Sequence, residues 1–226
     1  MSRPLALLRP EPGWSASAAV ARETGLEVVG HPLFDAEPID WRPPAGDFDG
    51  LLAGSATVFR LGGPQLAAFR ALPVHAVGKS TAQAARAAGF AVARSGVGGL
   101  QALLDSSAGQ TYRFLRLAGE ERVPLTPHRG QSVTECAVYR MIPRPIEAAL
   151  ADALAARDPL VVLHSAAAAR QFAREIDRLR ITRGGLDLLA LGSRVARAAG
   201  PGWAALHLAA APSDAALLAK AAALCK

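Results

Sequence analysis

The sequence predicts an α/β protein of two parallel-sheet domains, the first of them discontinuous, joined by a two-stranded linker. Three observations predict it. Short apolar runs alternate with alanine-rich helical stretches almost throughout, the pattern of parallel strands with helices on both faces. About ten such runs occur, too many for one small sheet and comfortable for two of five. The chain also repeats itself, but not head to tail.

Taken in order, Leu5 to Leu8 reads as a strand, Ser15 to Glu23 as a helix ending at Gly25, and Leu26 to Leu33 as a second strand. Asp49 to Ala53, Val74 to Val77 and Phe90 to Ala93 follow as strands, separated by helical stretches. Tyr112 to Leu117 and Glu135 to Tyr139 come next, with a helix broken by Pro124 and Pro127 between them. Leu160 to Leu163, Leu188 to Leu191 and Ala205 to Leu208 complete the set.

The repeat sets the domain layout. Phe-Asp-Gly-Leu-Leu-Ala-Gly-Ser-Ala from Phe48 matches Asp-Pro-Leu-Val-Val-Leu-His-Ser-Ala from Asp158. The run from His75 to Gly89, with Ala-Val-Gly-Lys-Ser-Thr-Ala, matches Leu-Ala-Leu-Gly-Ser-Arg-Val-Ala from Leu189. Leu5 to Leu33 and Arg113 to Tyr139 match more loosely. The simplest assembly places residues 1–34 with 147–226 in a discontinuous α/β domain and 47–139 in an inserted one. Residues 35–46 and 140–146 become linker strands. Pro38, Pro43, Pro44, Pro143 and Pro145 stiffen both crossings. Two such domains would face each other across a cleft.

Composition narrows the class. With 51% hydrophobic and 19% charged residues over 226 positions, the chain is not disordered and can bury a large core. No apolar run reaches the ~18 residues of a membrane span, and the apolar stretch at the N-terminus is too short for a signal peptide. Cys136 and Cys225 form neither a metal-ligand spacing nor a disulfide framework. A soluble cytoplasmic protein is expected, with monomer as the default. The net charge is +6, and only three of the 25 basic residues are lysine. Arginine suits carboxylates and phosphates. There is no basic run and little aromatic surface to stack bases, so a polyanionic small molecule is preferred to nucleic acid as partner.

In parallel α/β sheets ligands bind at the carboxyl ends of the strands. Ser55 and Ser165 each stand between a strand and a helix, placed to cap it. Gly78 and Thr81 follow another strand, with Ala82 opening a helix, and Gly192 and Val195 are their equivalents in the second repeat. Helix starts with free N–H groups attract anions, although each position also suits a plain cap or turn. Arg9 and Arg116 end matching strands and could meet an anion or form surface pairs. None of the five histidines is spaced as a metal pair. His164 beside Ser165 does not make a hydrolase, since neighbours on a strand point to opposite faces and no nucleophile elbow is present. Gly96-Val-Gly-Gly lacks the third glycine of a dinucleotide fingerprint. Tyr139 ends a strand at the domain junction, where it could donate a hydrogen bond or a proton or simply pack.

Across nearly its whole length the chain resembles the uroporphyrinogen-III synthase family. The resemblance rests on the order and spacing of several motifs: Leu-Arg-Pro-Glu-Pro, Phe-Asp-Gly-Leu-Leu-Ala-Gly-Ser-Ala, Ala-Val-Gly-Lys-Ser-Thr-Ala, Phe-Leu-Arg-Leu-Ala-Gly-Glu, Ala-Val-Tyr-Arg at Tyr139, and Pro212-Ser213. It implies two flavodoxin-like domains, no cofactor or metal, and a reaction that closes linear hydroxymethylbilane to uroporphyrinogen III with ring D inverted and water lost. The hydroxymethyl oxygen of ring A leaves, ring D attacks the resulting azafulvene, and a spiro intermediate fragments and recloses. The resemblance also implies Tyr139 and Thr81 as catalytic positions. Ser55 and Ser165 would hold substrate carboxylates, together with Arg9, Gly78, Arg116 and Gly192. The chain departs from the family at Gly54 and Val195, where threonines are usual, and in the short segment between Glu120 and Val133. A non-catalytic tetrapyrrole- or anion-binding module of the same fold is the alternative.

Overall fold

A computed structural model describes residues 3–156 and 158–225. In chain order the strands are β1 (Leu5–Leu7), β2 (Val28–Val29), β3 (Phe34–Pro38), β4 (Gly50–Ala53), β5 (Val74–Val77), β6 (Val92–Gly96), β7 (Tyr112–Gly119), β8 (Gln131–Pro143), β9 (Leu160–Leu163), β10 (Asp187–Ala190) and β11 (Ala205–Leu208). The helices are α1 (Gly13–Glu23), α2 (Thr57–Leu61), α3 (Lys79–Ala87), α4 (Leu100–Asp105), α5 (Ala148–Ala156), α6 (Ala166–Arg178), α7 (Ser193–Ala199) and α8 (Asp214–Leu224). The chain divides into two compact units, Met1–Asp35 with Pro143–Lys226, and Ala36–Ile142.

The first unit is built on a five-stranded sheet in the order β11-β10-β9-β1-β2, all of whose pairings are parallel. Such a sheet is covered on both faces, so its central strands are uninterrupted apolar runs. All four residues of β9 and all three of β1 are buried. Alternation then splits them by face. Leu5, Leu7, Leu160, Val162 and Leu189 pack against Ala18 and Ala21 of α1 and Leu217, Leu218 and Ala221 of α8. Two helices of this unit open on serine caps. Ser165 Oγ accepts from Ala168 N at 3.1 Å to open α6, and Ser213 Oγ accepts from Ala216 N at 3.2 Å to open α8.

The second unit carries a six-stranded sheet in the order β3-β8-β7-β4-β5-β6. The five strands from β8 to β6 are parallel. Ile39 N donates to Val138 O and Arg144 N to Leu33 O, so the segment through β3 runs antiparallel to β8. Leu51, Ala53, Leu115 and Leu117 face Val58 and Phe59 of α2 and Ala82 and Ala85 of α3. Leu52 and Phe114, on the opposite face, pack on Leu100, Leu103 and Leu104 of α4.

Several elements differ from the sequence reading. The strand expected over Leu26 to Leu33 shrinks to Val28–Val29. Its end is set by Gly30, whose φ of +96° lies outside the β region and stops the ladder. The sheet of the second unit has six strands rather than five because Phe34–Pro38, a polar and largely exposed stretch, joins its edge. β8, 13 residues long, starts at Gln131 rather than Glu135 and runs without a break into the crossing expected as a separate linker strand from residue 140. The broken helix between Glu120 and Val133 is not helical at all: Pro124 and Pro127 remove two backbone donors, and the segment is tied down by side chains instead. Gln101 Nε2 donates to Thr126 O at 3.0 Å, Thr126 N donates to Gln101 Oε1 at 2.9 Å, and His128 pairs with Asp105 at 2.7 Å. Finally, α3 starts at Lys79 rather than Ala82.

Candidate functional site

In the second unit the carboxyl ends of β4 and β7 open into a cavity of about 220 Å³. Ser55, Arg116 and Tyr139 line it, with Gly119, Glu121 and Arg122. Each arrives by a different local device. Ser55 lies one residue outside the cap position of α2, yet its Oγ accepts from Thr57 N at 3.2 Å and donates to Thr57 Oγ1 at 3.1 Å. That leaves the hydroxyl at the end of β4, where the chain turns from strand to helix.

Tyr139 depends on a slip in the β7–β8 ladder. Ala118 pairs with Ala137, and the next pair is Gly119 with Tyr139. Val138 is therefore an extra residue that pairs instead with the segment after β3, its carbonyl accepting from Ile39 N at 3.3 Å. A bulge of this kind re-aims the side chains beyond it. Strict alternation would put Tyr139 on the same face as Glu135. With the slip, Val138 and Tyr139 both pack on the core that contains Val58. The ring lies over Gly119, where an added Cβ would come within 2.9 Å of Cε2 and Cζ. Among the described residues no protein group pairs with the Tyr139 hydroxyl, and it stands at the cavity wall.

Arg116 is the buried member, only 5% exposed in the middle of β7. Its Nη1 donates to Glu135 Oε1 at 2.7 Å and to Val123 O at 2.8 Å, while its Nε has no partner. Glu135 uses its other oxygen to accept from Arg122 Nε at 2.6 Å. Burial alone would raise the Glu135 pKa, but hydrogen bonds from both arginines and their charges hold it below the usual carboxylate range. The arginine expected either to meet an anion or to form a solvated surface pair is thus buried itself and committed to the solvent-accessible Glu135.

Thr81 and Gly78 are not part of this cavity. Gly78, at φ +81°, is the cap residue of α3, and Thr81 falls inside the first turn of that helix, 2% exposed. Its buried position follows from the earlier helix start: the residue expected before the helix has become part of its packed face.

In the first unit, Arg9, Ser165 and Gly192 follow β1, β9 and β10 respectively. Gly192 caps α7 with extended backbone, and Val195 beyond it is buried. Ser165 is occupied as the α6 cap. Arg9 Nη1 pairs with Asp214 Oδ1 at 3.0 Å and donates to Ser17 Oγ at 2.8 Å. Ser17 Oγ also donates to Asp214 Oδ2 at 2.8 Å, and His164 Nε2 meets Asp214 Oδ1 at 2.8 Å. Asp214 therefore gathers an arginine, a hydroxyl and an imidazole at the start of α8. Burial drives the His164 pKa down and the Arg9 charge adds to this, with Asp214 opposing them. His164 Nδ1 is buried without a partner.

Reading the sequence missed Glu135, Gly119 and the Ser17–His164–Asp214 cluster. Glu135 is opposite Arg116 in the ladder, 19 residues away, and nothing in the intervening segment fixes that register. Asp214 and Ser17 are 197 residues apart. Among the described residues no three histidine, cysteine or acidic side chains gather as a metal ion would need, and no helix is long and apolar enough to cross a membrane.

A family model described as uroporphyrinogen-III synthase HemD matches residues 15–219. No curated protein sequence matches the chain. Among solved structures, uroporphyrinogen-III synthetase from Helicobacter pylori is similar with a TM-score of 0.64 at 17% identity, over 88% of this chain and 93% of that one. A mutant uroporphyrinogen III synthase from the extremely thermophilic bacterium Thermus thermophilus is similar with a TM-score of 0.54 at 20% identity, over 97% of this chain and 100% of the other. At these identities the two structures speak for the fold.

Proposed function

The chain belongs to the uroporphyrinogen-III synthase family, and we propose that it closes hydroxymethylbilane to uroporphyrinogen III with ring D inverted, as a lyase of haem biosynthesis. The observation that carries this reading is the cavity at the ends of β4 and β7. There Tyr139 presents a hydroxyl with no partner among the described residues, beside Ser55 and the buried Arg116.

The chemistry asks little of the protein in acid–base strength and much in geometry. The C–O bond of the ring A hydroxymethyl group breaks, and the oxygen leaves as water with a proton supplied at its lone pair. Tyr139 is the group we assign to that proton or hydrogen bond. The substituted α-carbon of ring D then attacks the azafulvene carbon. The resulting spiro centre breaks its other bond, and the freed end recloses on the opposite α-carbon of ring D. Loss of a proton from that ring restores aromaticity and balances the proton delivered at the start. Substrate yields product and one water. The free substrate also closes unaided to the uninverted isomer I, so the protein must hold ring D in the attacking geometry. Ser55, Ser165, Arg116, Arg9 and the helix starts after Gly78 and Gly192 are assigned to the substrate's carboxylates, an assignment that anion affinity at helix N-termini supports. Thr81 acts in this scheme through the α3 start it helps to pack.

We take residues 1–34 with 147–226 and residues 47–139 as the two domains, with 35–46 and 140–146 as linkers. The change of compact unit near residues 35 and 143 supports that division. The working form is assigned as a cytoplasmic monomer.

The test is an isomer assay on purified protein. Freshly generated hydroxymethylbilane is added and the oxidised uroporphyrins are separated by chromatography. Isomer III in excess over the protein-free control is expected. Folded protein that gives only isomer I at the spontaneous rate would overturn the synthase reading and favour the non-catalytic alternative or a degenerate relative.

A further inference from the structure

The corner that follows β7 is held by an unusual convergence. Arg116 Nη1 donates to Val123 O at 2.8 Å, and Arg122 Nη1 donates to Glu120 O at 2.8 Å and to Gly119 O at 3.3 Å. Both guanidiniums end on one carboxylate, Glu135, at 2.7 and 2.6 Å. Glu120 N in turn donates to Tyr139 O at 2.9 Å, and Gly119 is the floor under the Tyr139 ring. We propose that Glu135 is a positioning residue that fixes the Tyr139 ring through the Gly119–Val123 corner. The inference rests on the assignment of Tyr139 to the leaving hydroxyl.

Three features favour positioning over simple stabilisation. First, the arrangement is a weak stability device. Burying Arg116 in a strand leaves its Nε unpartnered, and Glu135 and Arg122 are both solvent-accessible, where ion pairs contribute little. Second, every hydrogen bond of the two arginines, apart from those to Glu135 itself, goes to a carbonyl of the corner, at residues 119, 120 and 123. The carboxylate is thus connected to that corner and to little else. Third, the corner is where the β7–β8 register slips. After the slip the regular ladder no longer fixes the depth of the Tyr139 ring. Its position is set by the core around Val58 on one side and, on the other, by the Gly119 floor and the Glu120 N–H, whose carbonyls Arg122 anchors. Glu121 is exposed at the cavity rim and takes no part in the clamp.

The experiment is a double-mutant cycle between Glu135→Gln and Tyr139→Phe in the full-length protein, with kcat and KM measured separately and isomer III quantified. Glu135→Gln is nearly isosteric and removes the charge that holds both arginines. Because displacement of a catalytic group by about 1 Å can cost ~100-fold, we expect a loss in kcat of roughly tenfold to a hundredfold, with KM changed by less than about threefold. In the Tyr139→Phe background the same substitution should cause no further loss, since the group it positions is gone. An equal loss in both backgrounds means that Glu135 acts independently and overturns the proposal. So does an unchanged kcat for Glu135→Gln when Tyr139→Phe is impaired. If Tyr139→Phe alone keeps full turnover, the Tyr139 assignment fails first, and the clamp fails with it. Should Glu135→Gln not fold, Arg122→Gln, which cuts the link from Glu135 to Gly119 O and Glu120 O, carries the test beside Gly119→Ala, which displaces the ring directly. The same kcat loss, absent in the Tyr139→Phe background, is expected of both, whereas wild-type kcat in Arg122→Gln overturns the proposal.

Discussion

Replacing Tyr139 by Phe removes one oxygen and tests the assigned chemistry directly. The ring keeps its seat on Gly119 and its packing on the core around Val58. Among the described residues the hydroxyl has no protein partner to lose, and it borders the cavity instead of lying sealed in the core. The stability change should therefore stay within about 0.5 kcal/mol. In a chain of 226 residues that is a shift in melting temperature of roughly 2 °C or less. Turnover responds on a different scale. A hydroxyl that only hydrogen-bonds the leaving oxygen contributes about 1–1.5 kcal/mol, close to tenfold in rate. One that delivers the proton contributes a factor of about 100 to 10,000. The assay is initial-rate formation of isomer III, with the spontaneous isomer I from a protein-free control subtracted. A thermal melt of the same sample checks the fold. Wild-type kcat/KM and an unchanged isomer ratio in a fully folded variant would refute the reasoning and remove Tyr139 from the reaction.

Other outcomes follow from the same geometry. Ser165→Ala deletes the acceptor for Ala168 N at the start of α6 and should cost about 1 kcal/mol, read as a lower midpoint in urea; a rise in KM in addition would mark Ser165 as a carboxylate contact. His164 has a folded-state pKa below its ordinary value of 6.5 because it is buried, so the unfolded chain binds its proton first. Its contribution to stability is complete above about pH 6.5 and is lost as pH falls toward the folded-state value. Chemical denaturation at about pH 7.5 and about pH 5.5, on either side of that point, should show the loss, and His164→Gln should reduce it; an identical pH dependence in the variant would contradict the assignment. Phe172 is fully buried in α6 and stacked on Trp203 with ring centroids 5.6 Å apart, so Phe172→Ala should cost about 3–5 kcal/mol, visible as a large drop in thermal midpoint.

What the sequence made legible was governed by local patterning. The apolar runs at Leu51, Leu115 and Leu160 could only be buried strands, and the doubling of the Ser-Ala and Gly-Lys/Ser-Arg blocks exposed two related α/β halves. Ser165 was legible as a cap because capping is decided within four residues. The features that escaped are set at long range or by a count. Residues 35–46 were legible as a linker strand; that Phe34–Pro38 would pair with β8 as an edge of the second sheet was not. Thr81 changed meaning when α3 began three residues early. Tyr139 was legible as a candidate. The route that brings it to the cavity was not, because one inserted residue, Val138, decides which face it takes. Arg116 and Arg9 were legible as cations near strand ends, but their acidic partners lie 19 residues away in one case and at the start of the last helix in the other.

The strand order of the first unit has a consequence for how the molecule is made. Of the described strands β1 leaves the ribosome first, yet it sits between β2 and β9, and Leu5 pairs with Leu160. Its fully apolar side chains must wait for most of the chain to be synthesised before that neighbour exists. The contiguous unit of residues 36–142 has all its own strand partners in hand much sooner. Folding during translation is thus expected to complete the inserted unit first and to close the outer one last. In the interval β1 is a sticky nascent segment that relies on chaperone cover or rapid elongation.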